Sequence, residues 1–303
     1  MPNIVKTALY YSFNKTARLL AGTGMSRLPG VRATYDYLFR TLWPDRNIIE
    51  VEGSRMYVNL KDEILLRKTF EAYITTRHWD ELTTAAFKSS VKEGDVVLDL
   101  GANLGYYSLL AARLVGGKGR VYSFEPEPRN FRLLLKNIEL NGYDNITPLQ
   151  KAVSDKTEML KLFISSEDSG AHTIRESVDS RDYKESIDME VVKLDEFFAG
   201  NTKPINVIKM DVEGSEPKAF QGMEKIIEEN SDLKIFVEFY PDLIEQGGCP
   251  PEEFTRRIIE DYGFKITIID DDWKNRAQLE VGSVAELMDF VKDRTIVNLF
   301  LQK

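Results

Sequence analysis

From Val96 onward, short apolar runs alternate with longer stretches in which apolar residues recur three or four positions apart. The short runs are typical of buried strands, and the longer stretches are typical of amphipathic helices. Their alternation predicts βαβ units on a parallel sheet. The predicted strands are 96–100, 120–125, 146–153, 205–211, 234–240, 264–270 and 295–302. The predicted helices are 104–115, 128–142, 217–230 and 251–263.

One interval departs from this alternation. Residues 158–165 and 187–194 predict two paired strands, and the polar loop between them contains Gly170 and His172. We expect this loop to hang over the pocket of the sheet.

The region before Val96 follows a different pattern. Two apolar runs in 47–62 surround Glu52-Gly53-Ser54 and predict a β-hairpin, and helical spacing follows in 63–73 and 79–91. The predicted organisation is an N-terminal extension, a hairpin and helical lead-in, and one large α/β domain, at 1–46, 47–92 and 93–303.

Charge is distributed unevenly along the chain. The net charge is -9, which argues against a nucleic-acid partner because proteins that track phosphates carry a basic surface. Residues 1–46 nevertheless carry seven bases, two acids and several aromatic residues. Such a segment could contact an anionic membrane surface, or it could be a helical extension packed on the acidic body.

Targeting and redox signals are weak in this sequence. No apolar run reaches the roughly 20 residues of a membrane-spanning helix, and bases interrupt any secretory signal core. The single cysteine, Cys249, excludes an internal disulfide and a cysteine-based zinc cluster. We therefore predict a cytoplasmic protein that could be peripheral to the membrane through residues 1–46.

The strongest local motif is 98-LDLGANLGYYS-108, a strand followed by a tight turn and a helix. Gly101 and Gly105 allow a sharp turn and a close approach of the backbone to a ligand. The spacing is not the G-x-G-x-x-G of a nicotinamide site. Asp99 would repel a pyrophosphate, whereas it suits the α-ammonium group of S-adenosylmethionine, directly or through water. A glycine turn that serves only the fold is the alternative.

A second acid follows at a characteristic distance. Glu125 ends the next predicted strand in 123-SFEP-126 and lies 24 positions after Gly101. An acid about 20 residues beyond such a turn accepts the ribose hydroxyls of a nucleotide cofactor. The pair of motifs indicates a nucleotide site more specifically than the glycines alone.

Several motifs together resemble the FkbM-like family of class I S-adenosylmethionine-dependent methyltransferases. They are DLGANLG, FEPEP, QKAVSD, 193-KLDEF-197 and 208-IKMDVEGSE-216, between about Val96 and Pro241. Lys193 stands where the family usually has threonine. The resemblance implies a doubly wound, Rossmann-like α/β sheet, mostly parallel with an antiparallel last strand. It also implies O-methylation of hydroxyl groups on sugars, glycans, lipid-linked compounds or other small metabolites.

The resemblance implies S-adenosylmethionine as the cofactor at the carboxyl ends of the first strands. Asp99 through Gly105 would hold the methionine part, Glu125 the ribose, and the segment from Ala152 the adenine. The implied cofactor-binding residues are Asp99, Gly101, Ala102, Asn103, Gly105, Glu125, Pro126, Ala152, Val153 and Asp155.

Asp211 and Glu213 end an apolar run and are the main candidates for catalysis, with His172 as a third. Strand alternation points both acids to one side, together with Lys209. Three roles are open for them: a general base, a clamp on vicinal hydroxyls, or a metal pair, although no resident metal is predicted. Alternatively, Glu213 caps the next helix or pairs with Lys209.

Other side chains are weaker candidates for the acceptor pocket. Glu238 and Tyr240 could line it, whereas His172 could be an exposed loop residue and His78 a structural one.

The leading hypothesis is therefore an S-adenosylmethionine-dependent methyltransferase that acts on a small or glycan-like hydroxyl acceptor. The alternatives are a nicotinamide-dependent sugar-modifying oxidoreductase and a non-catalytic cofactor-binding scaffold at a membrane. The sequence does not predict an oligomeric state.

Overall fold

The computed structural model describes residues 48–57, 80–165, 183–272 and 276–303, together with isolated positions between Leu9 and Thr41. The strands are β1 Ile48–Val51, β2 Ser54–Tyr57, β3 Val96–Leu100, β4 Arg120–Phe124, β5 Ile146–Leu149, β6 Ala152–Ser154, β7 Glu158–Ser165, β8 Tyr183–Lys193, β9 Val207–Met210, β10 Lys234–Phe239, β11 Lys265–Asp270, β12 Ala277–Val281 and β13 Val297–Gln302. The helices are α1 Glu81–Ser90, α2 Tyr106–Val115, α3 Pro128–Asn141, α4 Leu194–Phe197, α5 Glu216–Gln221, α6 Glu224–Glu229, α7 Pro241–Gln246, α8 Pro251–Arg256 and α9 Val284–Val291.

Eight strands form the central sheet in the order β12-β11-β13-β10-β9-β3-β4-β5. The strands β10, β9, β3, β4 and β5 pair in parallel, whereas the last strand, β13, is antiparallel to β10 and β11. All five residues of Val96–Leu100 are buried, as a strand covered on both faces requires. The predicted sheet with an antiparallel last strand is confirmed.

The strand order reverses between β3 and β9. The chain runs outward through β4 and β5 and later returns to place β9 on the other side of β3. In open α/β sheets, ligands bind beyond the carboxyl ends of the strands at such a switch point. The Gly101 turn and Asp211 lie at these two strand ends.

A second, three-stranded sheet has the order β6-β8-β7. The strands β7 and β8 pair antiparallel, which confirms the predicted pair. The predicted single strand 146–153 is wrong, because β5 ends at Leu149 in the central sheet and β6 joins the second sheet beside β8. The apolar pattern of residues 146–153 does not show whether one strand continues or the chain passes from one sheet to another.

Two predicted helices are interrupted in the structure. The segment 217–230 forms α5 and α6 with a break at Gly222, where an added Cβ would lie 2.0 Å from the Ser154 carbonyl oxygen. The predicted helix 251–263 is α-helical to Arg256 and continues as a π-helix over Arg257–Asp261. Four elements were not predicted: α4, α7, β12 and α9.

The chain divides into two compact units. The first comprises Met1–Glu50 and Met56–Trp79, and the second comprises Val51–Arg55 and Asp80–Lys303. The strands β1 and β2 form a two-stranded sheet, as predicted for the hairpin, and α1 lies within the predicted helix 79–91. The predicted helix 63–73, His78, and all but isolated positions of residues 1–46 lie outside the described residues.

No helix in the described part of the chain has the length and apolar character needed to cross a membrane.

Candidate functional site

The turn after β3 is built around Gly101. Its φ angle of +82° is in the left-handed region, and the backbone N–H groups of Gly101 and Ala102 both donate to the Phe124 carbonyl oxygen at 2.9 Å. A Cβ atom at Gly101 would lie 1.8 Å from the Asp211 carbonyl oxygen. Asp211 in turn donates its N–H to the Leu100 carbonyl oxygen at 2.9 Å. Only glycine lets the two strand ends approach this closely.

Glu125 lies at the end of β4 and faces the same turn. Its Oε2 accepts the N–H of Asn103 at 2.7 Å, and its Oε1 accepts the N–H of Glu127 at 2.9 Å. Burial raises the pKa of Glu125 to about 8, although the two N–H bonds favour the charged form. Each carboxylate oxygen retains acceptor capacity beyond its backbone partner, so the group can bind both partners and ligand hydroxyls.

Asn103 also has a left-handed backbone, with φ +49°. Its side-chain Oδ1 is buried and has no hydrogen-bond partner among the described residues. A buried amide oxygen without a partner is disfavoured unless a ligand or water donates to it.

An open cavity lies at the switch point. Eight of the thirteen predicted site residues line it: Gly101, Asn103, Glu125, Pro126, Ala152, Val153, Asp211 and Glu213. Among the described residues, six that were not predicted also line it: Phe124, Asn130, Lys151, Leu162, Val212 and Ser215. Leu162 comes from β7, so the second sheet contributes to the wall.

Asp99 does not line this cavity. It is 2% exposed, and its Oδ2 accepts a hydrogen bond from Ser108 Oγ at 2.5 Å. Burial raises its pKa to about 6, while the bond from Ser108 and the charge of Lys209 act in the opposite direction. Asp99 is therefore part of a buried hydrogen-bonded group within the sheet.

The remaining predicted cofactor residues also lie outside the cavity lining. Ala102 is buried in the turn, and Gly105 precedes α2, where an added Cβ would lie 2.7 Å from Leu134 Cδ1 of α3. Asp155 accepts a hydrogen bond from Ser154 Oγ at 3.0 Å. His172 lies outside the described residues.

Three carboxylates converge where β9 and β10 end. Asp211, Glu213 and Glu238 each place an oxygen within 4.8 Å of the others, an arrangement that is also common without a metal ion. Glu213 and Gly214 are both left-handed, with φ +54° and +87°, and the turn they form holds Glu213 beside Asp211. Of these acids, only Glu238 does not line the cavity.

The pKa of Glu238 is raised well above its usual value. Burial is the main cause, and the negative charges of Asp211 and Glu213 add to it. Glu238 is also hydrogen-bonded to Asp211, which favours a proton on Glu238. These effects favour the neutral form of Glu238, which can donate a hydrogen bond to Asp211.

Two charged side chains, Lys209 and Glu216, contact the segment that contains Asp211 and Glu213. Lys209 Nζ lies 4.0 Å from Asp211 Oδ2, so the predicted pairing is with Asp211. The turn before α5 is held by Glu216, whose Oε1 accepts the N–H groups of Val212 and Gly214 at 3.1 and 3.3 Å. Sequence analysis missed Glu216, although an acid in the first turn of a helix is a recognised stabilising signal.

Comparisons with known proteins agree with this geometry. Residues 99–266, more than half of the chain, match the family described as the methyltransferase FkbM domain. Methyltransferase 1 of Beauveria bassiana is 24% identical over 199 residues, which cover 58% of this chain and 75% of that protein. The hexuronic acid methyltransferase AglP of Haloferax volcanii is 26% identical over 170 residues, which cover 56% of this chain and 63% of that protein.

Among solved structures, the methyltransferase FkbM from Methylobacillus flagellatus aligns with a TM-score of 0.41 and 16% identity, over 78% of this chain and 53% of that chain. The match of the family to residues 99–266 includes both strand-end motifs and the three converging carboxylates. The chain therefore belongs to the FkbM family of methyltransferases, and it is an S-adenosylmethionine-dependent methyltransferase.

Proposed function

We propose that the protein transfers a methyl group from S-adenosylmethionine to a hydroxyl group of a sugar, glycan, lipid-linked compound or other small metabolite. One observation carries this proposal: a single cavity joins the Gly101 turn and Glu125 to the carboxylates of Asp211 and Glu213. The Gly101 turn and Glu125 suit a nucleoside, whereas the carboxylates of Asp211 and Glu213 suit an acceptor that must lose a proton.

The residues on the nucleoside side fit the cofactor. The oxygens of Glu125 can accept from ribose hydroxyls while they keep their backbone partners. The buried Asn103 Oδ1 provides a further acceptor, which would be satisfied by a donor on the cofactor. Phe124, Val153 and Leu162 supply apolar lining for the adenine ring.

S-adenosylmethionine supplies an electrophilic methyl carbon on a sulfonium. The protein must hold the acceptor oxygen about 3 Å from that carbon, on the side opposite sulfur. As the C–O bond forms, the C–S bond breaks with its electron pair on sulfur, and the hydroxyl proton passes to a carboxylate of the protein.

Asp211 is the better placed of the two acids for this proton. Its backbone is bonded to Leu100 at the end of β3, and Lys209 lies beside its carboxylate and stabilises a negative charge. Glu213 lies further along the turn and can accept from a second hydroxyl of the acceptor. In this assignment Asp211 is the general base and Glu213 orients the acceptor.

A sugar acceptor is supported by one relative. The name of AglP states that it methylates a hexuronic acid, and this chain is 26% identical to it over 170 residues. The family assignment favours methyl transfer over the nicotinamide-dependent oxidoreductase and the non-catalytic scaffold.

Calorimetry with S-adenosylmethionine and S-adenosylhomocysteine tests the cofactor, and a metabolite screen with a labelled methyl donor tests the acceptor. We expect both nucleosides to bind and label to appear on hydroxyl-bearing compounds. Binding of reduced nicotinamide without either nucleoside, or label found only on amines or carboxylates, would contradict the proposal.

A further inference from the structure

Lys209 is a buried lysine that takes no direct part in the proposed proton transfer. It lies in β9 between Asp99 of β3 and Phe236 of β10, and it is 3% exposed. Lysine is almost never fully buried without a partner, because removal of its charge from water is strongly disfavoured. Its position therefore implies compensating groups nearby.

The ammonium group contacts three kinds of partner. Nζ lies 4.0 Å from Asp211 Oδ2, donates to the Met210 carbonyl oxygen at 3.4 Å, and lies 5.2 Å from the centre of the Tyr107 ring in α2. It does not line the cavity, so it is not placed to contact the acceptor itself.

The charged groups around Lys209 come from every strand beside it. Asp99 belongs to β3, Asp211 follows β9, and Glu238 belongs to β10, and the charge of Glu213 also acts on Glu238. The charge of Lys209 lowers the pKa of Asp99 and of Glu238, in opposition to burial. One cation thus acts on a group of acids whose charges otherwise repel one another.

We propose that Lys209 is a positioning residue for methyl transfer, whose buried ammonium group attracts the Asp211 carboxylate and holds it in place in the cavity wall. This inference rests on the function proposed above, because it assigns Lys209 to the base of that reaction. Lys209 and Asp211 lie two positions apart, so strand geometry puts both on one side of β9.

The variants K209M and K209R separate the charge of this residue from its volume. K209M keeps much of the length of the side chain without the ammonium, whereas K209R keeps the positive charge. For K209M we expect kcat to fall about 100-fold or more, in the range of general-base effects, with affinity for S-adenosylmethionine changed less than about threefold. We also expect KM for the acceptor to change less than about threefold, because Lys209 does not line the cavity. K209R should restore most of kcat.

A purely structural role predicts a different result. In that case K209M melts at a lower temperature but keeps the wild-type kcat at temperatures where it is folded, which overturns the proposal. If K209M does not fold, K209Q provides the same comparison, because its amide can still donate to Met210.

Failure of the proposed function gives a different result from failure of this inference. In that case the wild-type protein itself does not bind S-adenosylmethionine and does not methylate any hydroxyl group. An active wild type and a K209M variant with wild-type kcat reject only the role of Lys209.

Discussion

The carbonyl oxygen of Asp211 lies where a side chain on Gly101 would begin, 1.8 Å from the position of an added Cβ. Asp211, the proposed base, and Gly101, which begins the turn after β3, are thus in backbone contact. A side chain at Gly101 must push them apart.

We therefore expect G101A to lose cofactor binding. The substitution combines a left-handed φ of +82° with a backbone clash, so the free energy of unfolding should fall by about 2 kcal/mol or more. Calorimetry with S-adenosylhomocysteine and urea unfolding measure the two effects. The matched control is G142A, since Gly142 has φ +64° but open space around it. Equal losses of unfolding free energy in G101A and G142A would mean that the left-handed φ alone causes the effect, without the clash at Asp211.

The two acids at the end of β9 should have separable effects. We expect D211N to lower kcat by about 100-fold to 10,000-fold, as removal of a general base does, with little change in cofactor affinity. E213Q should mainly raise KM for the acceptor, because Glu213 is assigned to orient it. Steady-state kinetics on the labelled product distinguish these outcomes.

D289N is a control for the loss of one negative charge, because Asp289 pairs with Lys292 on the exposed surface of α9. A D211N enzyme with wild-type kcat would remove Asp211 from the mechanism and leave the base to be sought elsewhere.

Glu125 should determine affinity for the nucleoside. In E125Q one oxygen becomes an amide NH₂, which cannot accept from both Asn103 and Glu127, so one buried N–H loses its partner. We expect affinity for S-adenosylmethionine to fall at least about tenfold, equivalent to about 1.4 kcal/mol. E139Q, on the exposed side of α3, is the control for a Glu→Gln change. Unchanged affinity in E125Q would exclude the ribose contact.

The buried acids should make stability depend on pH. Burial raises the pKa of Glu216 to about 7, above that of an unfolded glutamate. A raised carboxyl pKa means that the folded state holds the proton more tightly, so this contribution is complete below about pH 4.5 and is lost as pH rises through about 7. Urea midpoints of the cofactor-free protein should therefore fall between pH 5 and pH 8, and the fall should be smaller in E216Q. A midpoint that rises over this range would contradict the assignment.

Sequence alone predicted the parts of the site that short segments encode. Gly101, Asn103 and Glu125 directly follow two strands with clear apolar patterns, and Asp211 and Glu213 follow a third. Their convergence also followed, since the carboxyl ends of neighbouring parallel strands meet at one edge of the sheet.

The features that were missed depend on distant contacts. Gly222 breaks a helix because the backbone of Ser154 lies against it, and nothing near Gly222 in the sequence reports this. The edge strand β12 has mostly exposed or partly exposed residues, so its apolar pattern is weak. Leu162 reaches the cavity only because β7 belongs to a second sheet, which the run 146–153 did not reveal.

The left-handed backbone of Glu213 affects how stabilised variants of this protein should be screened. A non-glycine residue in this conformation is disfavoured by about 1 kcal/mol, and glycine would remove that strain together with the carboxylate. Stability and acceptor binding therefore make opposite demands on position 213. A search for heat-resistant variants that ranks them by melting temperature alone would favour loss of the group that holds the acceptor.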